Sequence, residues 1–163
     1  MKIENSKLKV FFASDHAGFE MKNKLVEFAR GLGYEVVDLG PSKFDPDDDY
    51  PVYVSRAAEM VSESPLTARA IVLGNSGQGE DTVAEKFPGV RSADFYGGPL
   101  DIVKLSREHN DANVLSLGAG FISLEQAKEA VELWLSTPFS EEERHERRLK
   151  EIEELEKHLF KSK

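Results

Sequence analysis

Five apolar stretches, each five to seven residues long and rich in β-branched or aromatic residues, recur along the chain. Each is followed by a segment whose apolar residues step at helical spacing. Positions 8–14, 34–39, 69–73, 90–95 and 113–117 predict strands. Phe19, Leu25, Phe28, Ala29 and Leu32 mark one face of a helix closed by Gly31 and Gly33. Val54, Ala57, Ala58 and Val61 do the same in a helix opened by Tyr50-Pro51, and shorter helices are expected at about 79–86 and 99–107. Ser123 with Gln126 forms a capping box for a helix burying Ala127, Ala130, Val131 and Trp134; Ser140 with Glu143 predicts the same device for a last helix running past Leu155. Strands alternating with helices imply βαβ units, hence an α/β fold: a three-layer α/β/α sandwich around a five-stranded parallel sheet, plus an extended C-terminal helix. Ligands of such sheets bind beyond the carboxyl ends of the strands. Asp15-His16, the loop 74–80 and Asp94 all fall there.

Composition narrows the field. At 163 residues, 40% hydrophobic and 31% charged, the chain reads as one soluble domain spanning 1–163, with its core at about 8–138 and the helix at about 140–160 left to pack on a partner. A net charge of −9 argues against nucleic acid and anionic membranes as partners. No apolar run is long enough to span a membrane, and 1–5 lacks the apolar core of a signal peptide, so a cytoplasmic location is expected. The absence of cysteine excludes disulfides, thiolate catalysis and cysteine-bound metal. Asp45, Asp47, Asp48 and Asp49 match no calcium loop and read as a solvated acidic turn; with no histidine–carboxylate ligand set, no metal is expected.

The chemistry concentrates in Gly74-Asn75-Ser76-Gly77-Gln78-Gly79-Glu80, which follows the strand at 69–73 directly. A glycine-punctuated loop opening a helix presents unpaired backbone amides, which hold anions. A carboxylate in the first turn beside them supplies the two groups that proton abstraction next to a carbonyl requires, a base and a stabiliser of the developing oxyanion. Asp15 can cap the following helix and also contact a ligand. His109 ends a helix, a place where a histidine gains from the dipole whether or not it does chemistry. In the final helix Arg144, His145 and Arg148 share a side with the apolar stripe Leu149, Ile152, Leu155 and Leu159. Arginines on a buried side must be ion-paired or must hold an anion such as phosphate, and the stripe needs a surface to cover, for which a second subunit is natural.

Together these residues resemble the ribose-5-phosphate isomerase B family, which includes the galactose-6-phosphate isomerase subunits. The matching segments are Ser14-Asp15-His16-Ala17-Gly18-Phe19-Glu20, Asp49-Tyr50-Pro51, Gly77-Gln78-Gly79-Glu80, Lys86-Phe87-Pro88-Gly89-Val90-Arg91, Arg107-Glu108-His109-Asn110-Asp111-Ala112-Asn113, and Arg144-His145 with Arg148. The resemblance implies a Rossmann-like or flavodoxin-like homodimer, sometimes a tetramer, that interconverts ribose 5-phosphate and ribulose 5-phosphate without metal or cofactor. One branch of the family uses a cysteine at the place of Gly74; the other uses a glutamate at Glu80 and has a serine at Ser76. By that resemblance Glu80 moves the proton, while Ser76 and the backbone of Asn75, Gly77 and Gly79 hold the enediolate oxygen. His109 then assists ring opening with Asp15 as its partner, and Asp15, Tyr50 and Asn110 contact the sugar. His16, Arg144 and Arg148 clamp the phosphate, the arginines reaching across a dimer interface. Gly120 stands where the family commonly has a phosphate-binding arginine, and 94–99 is unusual. Both departures leave open another aldose phosphate, a tetrose or hexose, and the fold alone also admits a non-catalytic sugar-phosphate-binding module.

Overall fold

In a parallel sheet covered on both faces, alternate side chains of each strand must serve two separate cores. The computed structural model describes residues 8–160; the opening segment 1–5 lies outside them. Strands β1 (Lys9–Ser14), β2 (Glu35–Asp38), β3 (Ala68–Gly74), β4 (Ser92–Phe95) and β5 (Val114–Gly118) pair in the order β2-β1-β3-β5-β4, all parallel. Val10, Phe12, Ile71, Leu73, Leu115 and Leu117 face one way. They pack on Leu25 and Ala29 of α1 (Phe19–Gly31) and on Ala127, Ala130, Val131 and Trp134 of α5 (Leu124–Ser136). Phe11, Ala13, Ala70, Val72 and Val114 face the other way. Their partners are Val54, Ala57, Ala58 and Val61 of α2 (Tyr50–Glu63) and Ala84 of α3 (Gln78–Ala84). Full burial of side chains such as Phe12, Leu25 or Ile71 stabilises by about 1.5–3 kcal/mol each. A fourth helix, α4 (Asp101–Glu108), joins the first core through Val103.

The chain steps from β1 outward to β2, then crosses back to place β3 on the other side of β1. That reversal opens a crevice at the carboxyl ends of β1 and β3, where the loops 15–18 and 74–79 meet. The capping box at Ser123 and Gln126 is present, with Gln126 N donating to Ser123 Oγ at 3.2 Å and Ser123 N to Gln126 Oε1 at 3.0 Å.

One expectation needs correction. The last helix, α6 (Glu143–Phe160), is not capped by Ser140: Glu141 takes φ +56°, and the Glu142 carbonyl accepts the amides of His145 and Glu146. The Ser140 hydroxyl instead bonds the buried His145 ring at Nδ1, 2.8 Å. The side of α6 expected to pack on a partner is open within one chain. Only His145 is buried there, while Arg144, Arg148, Ile152, Leu155 and Leu159 are exposed. No helix of the described residues is long and apolar enough to cross a membrane.

Candidate active site

At the end of β3 the chain turns through Gly77, whose φ of +82° is open to glycine at little cost, and enters α3 at Gln78. Glu80 therefore sits in the first turn. Its carboxylate folds back over Gly74, filling the space where any side chain at 74 would begin, and only 3% of the residue is exposed. Burial raises its pKa above the ordinary glutamate range; a hydrogen bond from its own backbone opposes this and the nearby charge of Asp15 adds to it. Ser116 Oγ donates to the Gly77 carbonyl at 2.6 Å and fixes the turn, and the Gln78 amide reaches Ser76 Oγ at 3.4 Å. Gly79 lies flat against the Tyr50 ring: a Cβ there would come within 2.8 Å of the hydroxyl. Asn75 is exposed, and its side-chain oxygen occupies the place a Cβ at Gly120 would take, so these two positions are sterically linked.

On the β1 side of the crevice Asp15 is buried, and its Oδ1 accepts the amides of Ala17 (2.9 Å) and Gly18 (3.4 Å) ahead of α1. His16 is held by Asp48, which accepts both its backbone amide (2.8 Å) and its Nδ1 (2.9 Å). This overturns the reading of 45–49 as a wholly solvated turn, since the Asp48 side chain is only 5% exposed. The Asp48 hydrogen bond raises the His16 pKa and favours imidazolium, with Nε2 left for a ligand. Asp15, His16 and Asp48 bring ligand-type atoms within 4.8 Å of one another; Asp15 Oδ1, Asp48 Oδ1 and His16 Nδ1 are engaged in the bonds just described, while Asp48 Oδ2 is buried without a hydrogen-bond partner. Across the loop Asp94, at the end of β4, presses against Gly77; its Oδ1 is buried without a partner, and burial with the charges of Asp81 and Glu80 raises its pKa to about 7.

His109 and Asn110 lie elsewhere. They follow α4 and lead into β5, so they stand at the amino end of the sheet, about 16 Å of strand away from the 74–80 loop. A pairing of His109 with Asp15 inside one chain is therefore ruled out by topology. At that end the His109 ring stacks on His145, with centroids 4.2 Å apart and planes tilted by 36°. Burial and the neighbouring His109 lower the His145 pKa. Arg144 is exposed and pairs with Glu142 at 2.9 Å; Arg148 is exposed one turn further along α6. Asn110 is exposed, and its carbonyl accepts Arg91 Nε at 3.0 Å. The structure thus gathers Asp15, His16, Tyr50, Asn75, Ser76, Gly77, Gly79 and Glu80 at one end, and His109, Asn110, Arg144 and Arg148 at the other. Sequence reasoning missed Asp48, hidden in an acidic run, and the stacking of His145 on His109. A signal for the latter was its place between two arginines on one helix side.

The sequence profile described as Ribose/Galactose Isomerase matches residues 10–152, nearly the whole of this architecture. The chain belongs to that family. Among relatives in the Ribose/Galactose Isomerase family, ribose-5-phosphate isomerase B of Mycobacterium tuberculosis (strain H37Rv) is 36% identical over 93% of this chain and 92% of its own. Ribose-5-phosphate isomerase B of Escherichia coli (strain K12) is 35% identical over 91% and 96%. In three dimensions the chain is similar to the crystal structure of ribose-5-phosphate isomerase B from Mycoplasma genitalium with bound ribulose 5-phosphate, at a TM-score of 0.89 and 32% identity, covering 93% and 98% of the two chains.

Proposed function

We propose that this chain is an aldose–ketose isomerase interconverting ribose 5-phosphate and ribulose 5-phosphate, with Glu80 as the base. It acts as one domain in a cytoplasmic homodimer that can pair into a tetramer. The carrying observation is the Glu80 carboxylate, buried over Gly74 beside the amides of 75–79. In the open-chain aldose Glu80 takes the proton from C2, the electron pair forms the C1–C2 double bond, and the carbonyl oxygen at C1 becomes negative. The backbone of Asn75, Ser76, Gly77 and Gly79, with the Ser76 hydroxyl, stabilises that oxygen. The same carboxylic acid then returns the proton to C1, while the C2 hydroxyl passes its proton to the negative C1 oxygen, so that C2 becomes the ketone and C1 carries the hydroxyl. Hydrogen moves as a proton and the electrons stay on the sugar, so the reaction asks for an acid–base group and an oxyanion site. Burial poises Glu80 by lifting its pKa toward working pH.

The volume over Gly74 also accounts for the alternative bases implied by the resemblance: Glu80 fills the space a side chain at 74 would need, so a cysteine there and a glutamate so folded are mutually exclusive. Since His109, Asn110, Arg144 and Arg148 stand at the far end of the sheet, each complete site takes Glu80, Asp15, His16 and Tyr50 from one copy and those four residues from its partner. His109 then helps to open the furanose ring, and His16, Arg144 and Arg148 hold the phosphate. Solvent hydrogen exchange at C2 of ribose 5-phosphate tests the base: Glu80→Gln is expected to lose at least about 10²–10⁴-fold in rate. Equal rates in the two proteins would remove Glu80 from the mechanism.

A second reading, the same chemistry on a four- or six-carbon aldose phosphate, is favoured by Asn75 filling the space beside Gly120. Exposed Tyr96 and Phe121, packed edge to face at 6.5 Å, border that region through Gly118. A panel of aldose phosphates ranked by kcat/KM separates the two, and binding without turnover of any of them would leave a sugar-phosphate-binding module.

A further inference from the structure

The amino end of the sheet holds a cavity of about 450 Å³ that the isomerase reading does not use. Its floor carries two buried guanidinium groups, Arg69 from β3 and Arg107 from α4, 8% and 3% exposed. Arg107 is accounted for: it donates to Asp111 Oδ1 at 2.8 Å and to the carbonyls of Ala112 and Thr137. Arg69 is not. One nitrogen, Nη1, donates to the Leu135 carbonyl at 3.0 Å, and no carboxylate among the described residues pairs with it. Both guanidiniums lie over the Trp134 ring, at 5.5 and 5.8 Å from its centroid.

A buried cation without a counter-ion is costly, and a second cation nearby makes it more so. The cost shows in the titration of Arg69, which burial and the charge of Arg107 bring down to about 10. Asp111 and Tyr34 offset this only in part, and the Asp111 carboxylate makes its direct ion pairs with Arg107 and Arg91 at 2.8 and 2.9 Å. The remaining N–H groups of Arg69 form a planar donor set suited to a phosphate or carboxylate. The walls toward the mouth are apolar: Leu66, Leu135, Pro138 and Phe139. Glu141 also borders the cavity, so an anionic head would have to sit at the Arg69 end.

We propose that this cavity binds a small organic anion, with its phosphate or carboxylate head on Arg69 and Arg107 and its apolar body between Leu66 and Phe139. The site is separate from the Glu80 crevice and does not depend on the isomerase reading. It adjoins the 137–140 segment, whose Thr137 carbonyl accepts Arg107 and whose Ser140 holds His145 against His109. Occupancy would therefore reach the residues that each copy presents to its partner.

Trp134 is the chain's single tryptophan and touches both arginines, so it reports on the cavity directly. Purified full-length protein is titrated with phenyl phosphate at constant ionic strength, following Trp134 fluorescence. The expected result is a saturable change that sodium chloride does not produce, with affinity falling roughly 10-fold or more in Arg69→Met. Leu66, at the mouth and 80% exposed, gives a variant with little risk to folding: Leu66→Glu is expected to weaken binding several-fold by like-charge repulsion. Should Arg69→Met fail to fold, Leu66→Glu decides alone. A response that does not saturate, or that is unchanged in Leu66→Glu, overturns the proposal. The Glu80→Gln protein should keep the response in full; loss of turnover with the response intact bears on the isomerase alone, and loss of the response with turnover intact bears on the cavity alone.

Discussion

The two ends of the sheet carry opposite chemistry. The carboxyl end gathers Asp15, Asp48, Glu80 and Asp94 around an amide-rich loop, and burial, with neighbouring carboxylates adding to it, raises the pKa values of Glu80 and Asp94. The amino end gathers Arg69, Arg91, Arg107, His109, His145, Arg144 and Arg148, and there the displacement is reversed, with Arg69, Arg107 and His145 all lowered. One end has a base and an anion hole but little positive charge to hold a phosphate. The other has the cations but no base. A two-fold arrangement in which the carboxyl end of one copy meets the amino end of the next relieves both, because a patch and its complement on one chain satisfy each other twice in a closed dimer. A net charge of −9 thus conceals two ends of opposite local charge within one chain.

The sharpest way to break this comparison is subunit complementation. Glu80→Gln and His109→Asn are each expected to lose at least about 10²-fold in kcat. Denatured together and refolded as a 1:1 mixture, they should recover about a quarter of wild-type activity, since half the dimers are mixed and one site in each of those is intact. No recovery from a mixture shown to contain mixed dimers would place both residues in one copy's site. Next in size, Arg148→Ala should raise KM for ribose 5-phosphate by roughly 10–100-fold with kcat little changed, the signature of a phosphate contact made equally in ground and transition states. A fall in kcat at constant KM would take Arg148 out of the phosphate clamp.

What could be read from the chain, and what could not, follows the same division. The sheet, its helices and the 74–80 loop were legible because they show in patterns close in sequence: continuous apolar runs in β1 and β3, the capping box at Ser123, a strand running straight into glycines and then Glu80. Asp48 was not. Its partner His16 lies 32 positions away, and only the fold brings it out of an acidic run that otherwise reads as solvated. Ser140 misled for a related reason, its hydroxyl bonding the buried His145 ring and the Glu142 amide just ahead of the helix rather than an amide of the first turn. The separation of His109 from Asp15 was also hidden, because matching residues to a family fixes their identity and leaves open which copy supplies them. Arg144 and Arg148 share a helical side that reads as buried or as facing a partner, and within one chain both are exposed.

A smaller effect is expected at Asp48. Its hydrogen bond raises the His16 pKa, so imidazolium persists to higher pH than an unpartnered histidine would allow, and phosphate binding should weaken as pH rises through that value. Asp48→Asn removes the carboxylate. The rise of KM with pH should then shift down toward the ordinary histidine range near 6.5, leaving KM at pH 7.5 several-fold higher and kcat nearly unchanged. A KM profile identical in the two proteins would mean that His16 does not face the phosphate.

The smallest effect is on stability and bears most directly on whether the two ends meet. Asp94 has its pKa raised to about 7, chiefly by burial and then by Asp81 and Glu80, while the unfolded chain titrates it near 3.8. Between those values the folded state binds the extra proton, so stability falls as pH rises through the window and the penalty is complete above it. Asp94→Asn removes the charge. Because the side chain is only partly buried, solvent screening reduces the gain to about 1 kcal/mol, some 2–4 °C in Tm at pH 8, falling to roughly two-fifths of that at pH 5 and vanishing below the unfolded value. A loss of Tm at pH 8 would show instead that the Asp94 carboxylate has found a cation in the assembled protein. No cation of its own chain pairs with it among the described residues, so that outcome would point to the amino end of a second copy, and charge reversal at Arg144 or Arg148 should then abolish the pH dependence of the difference.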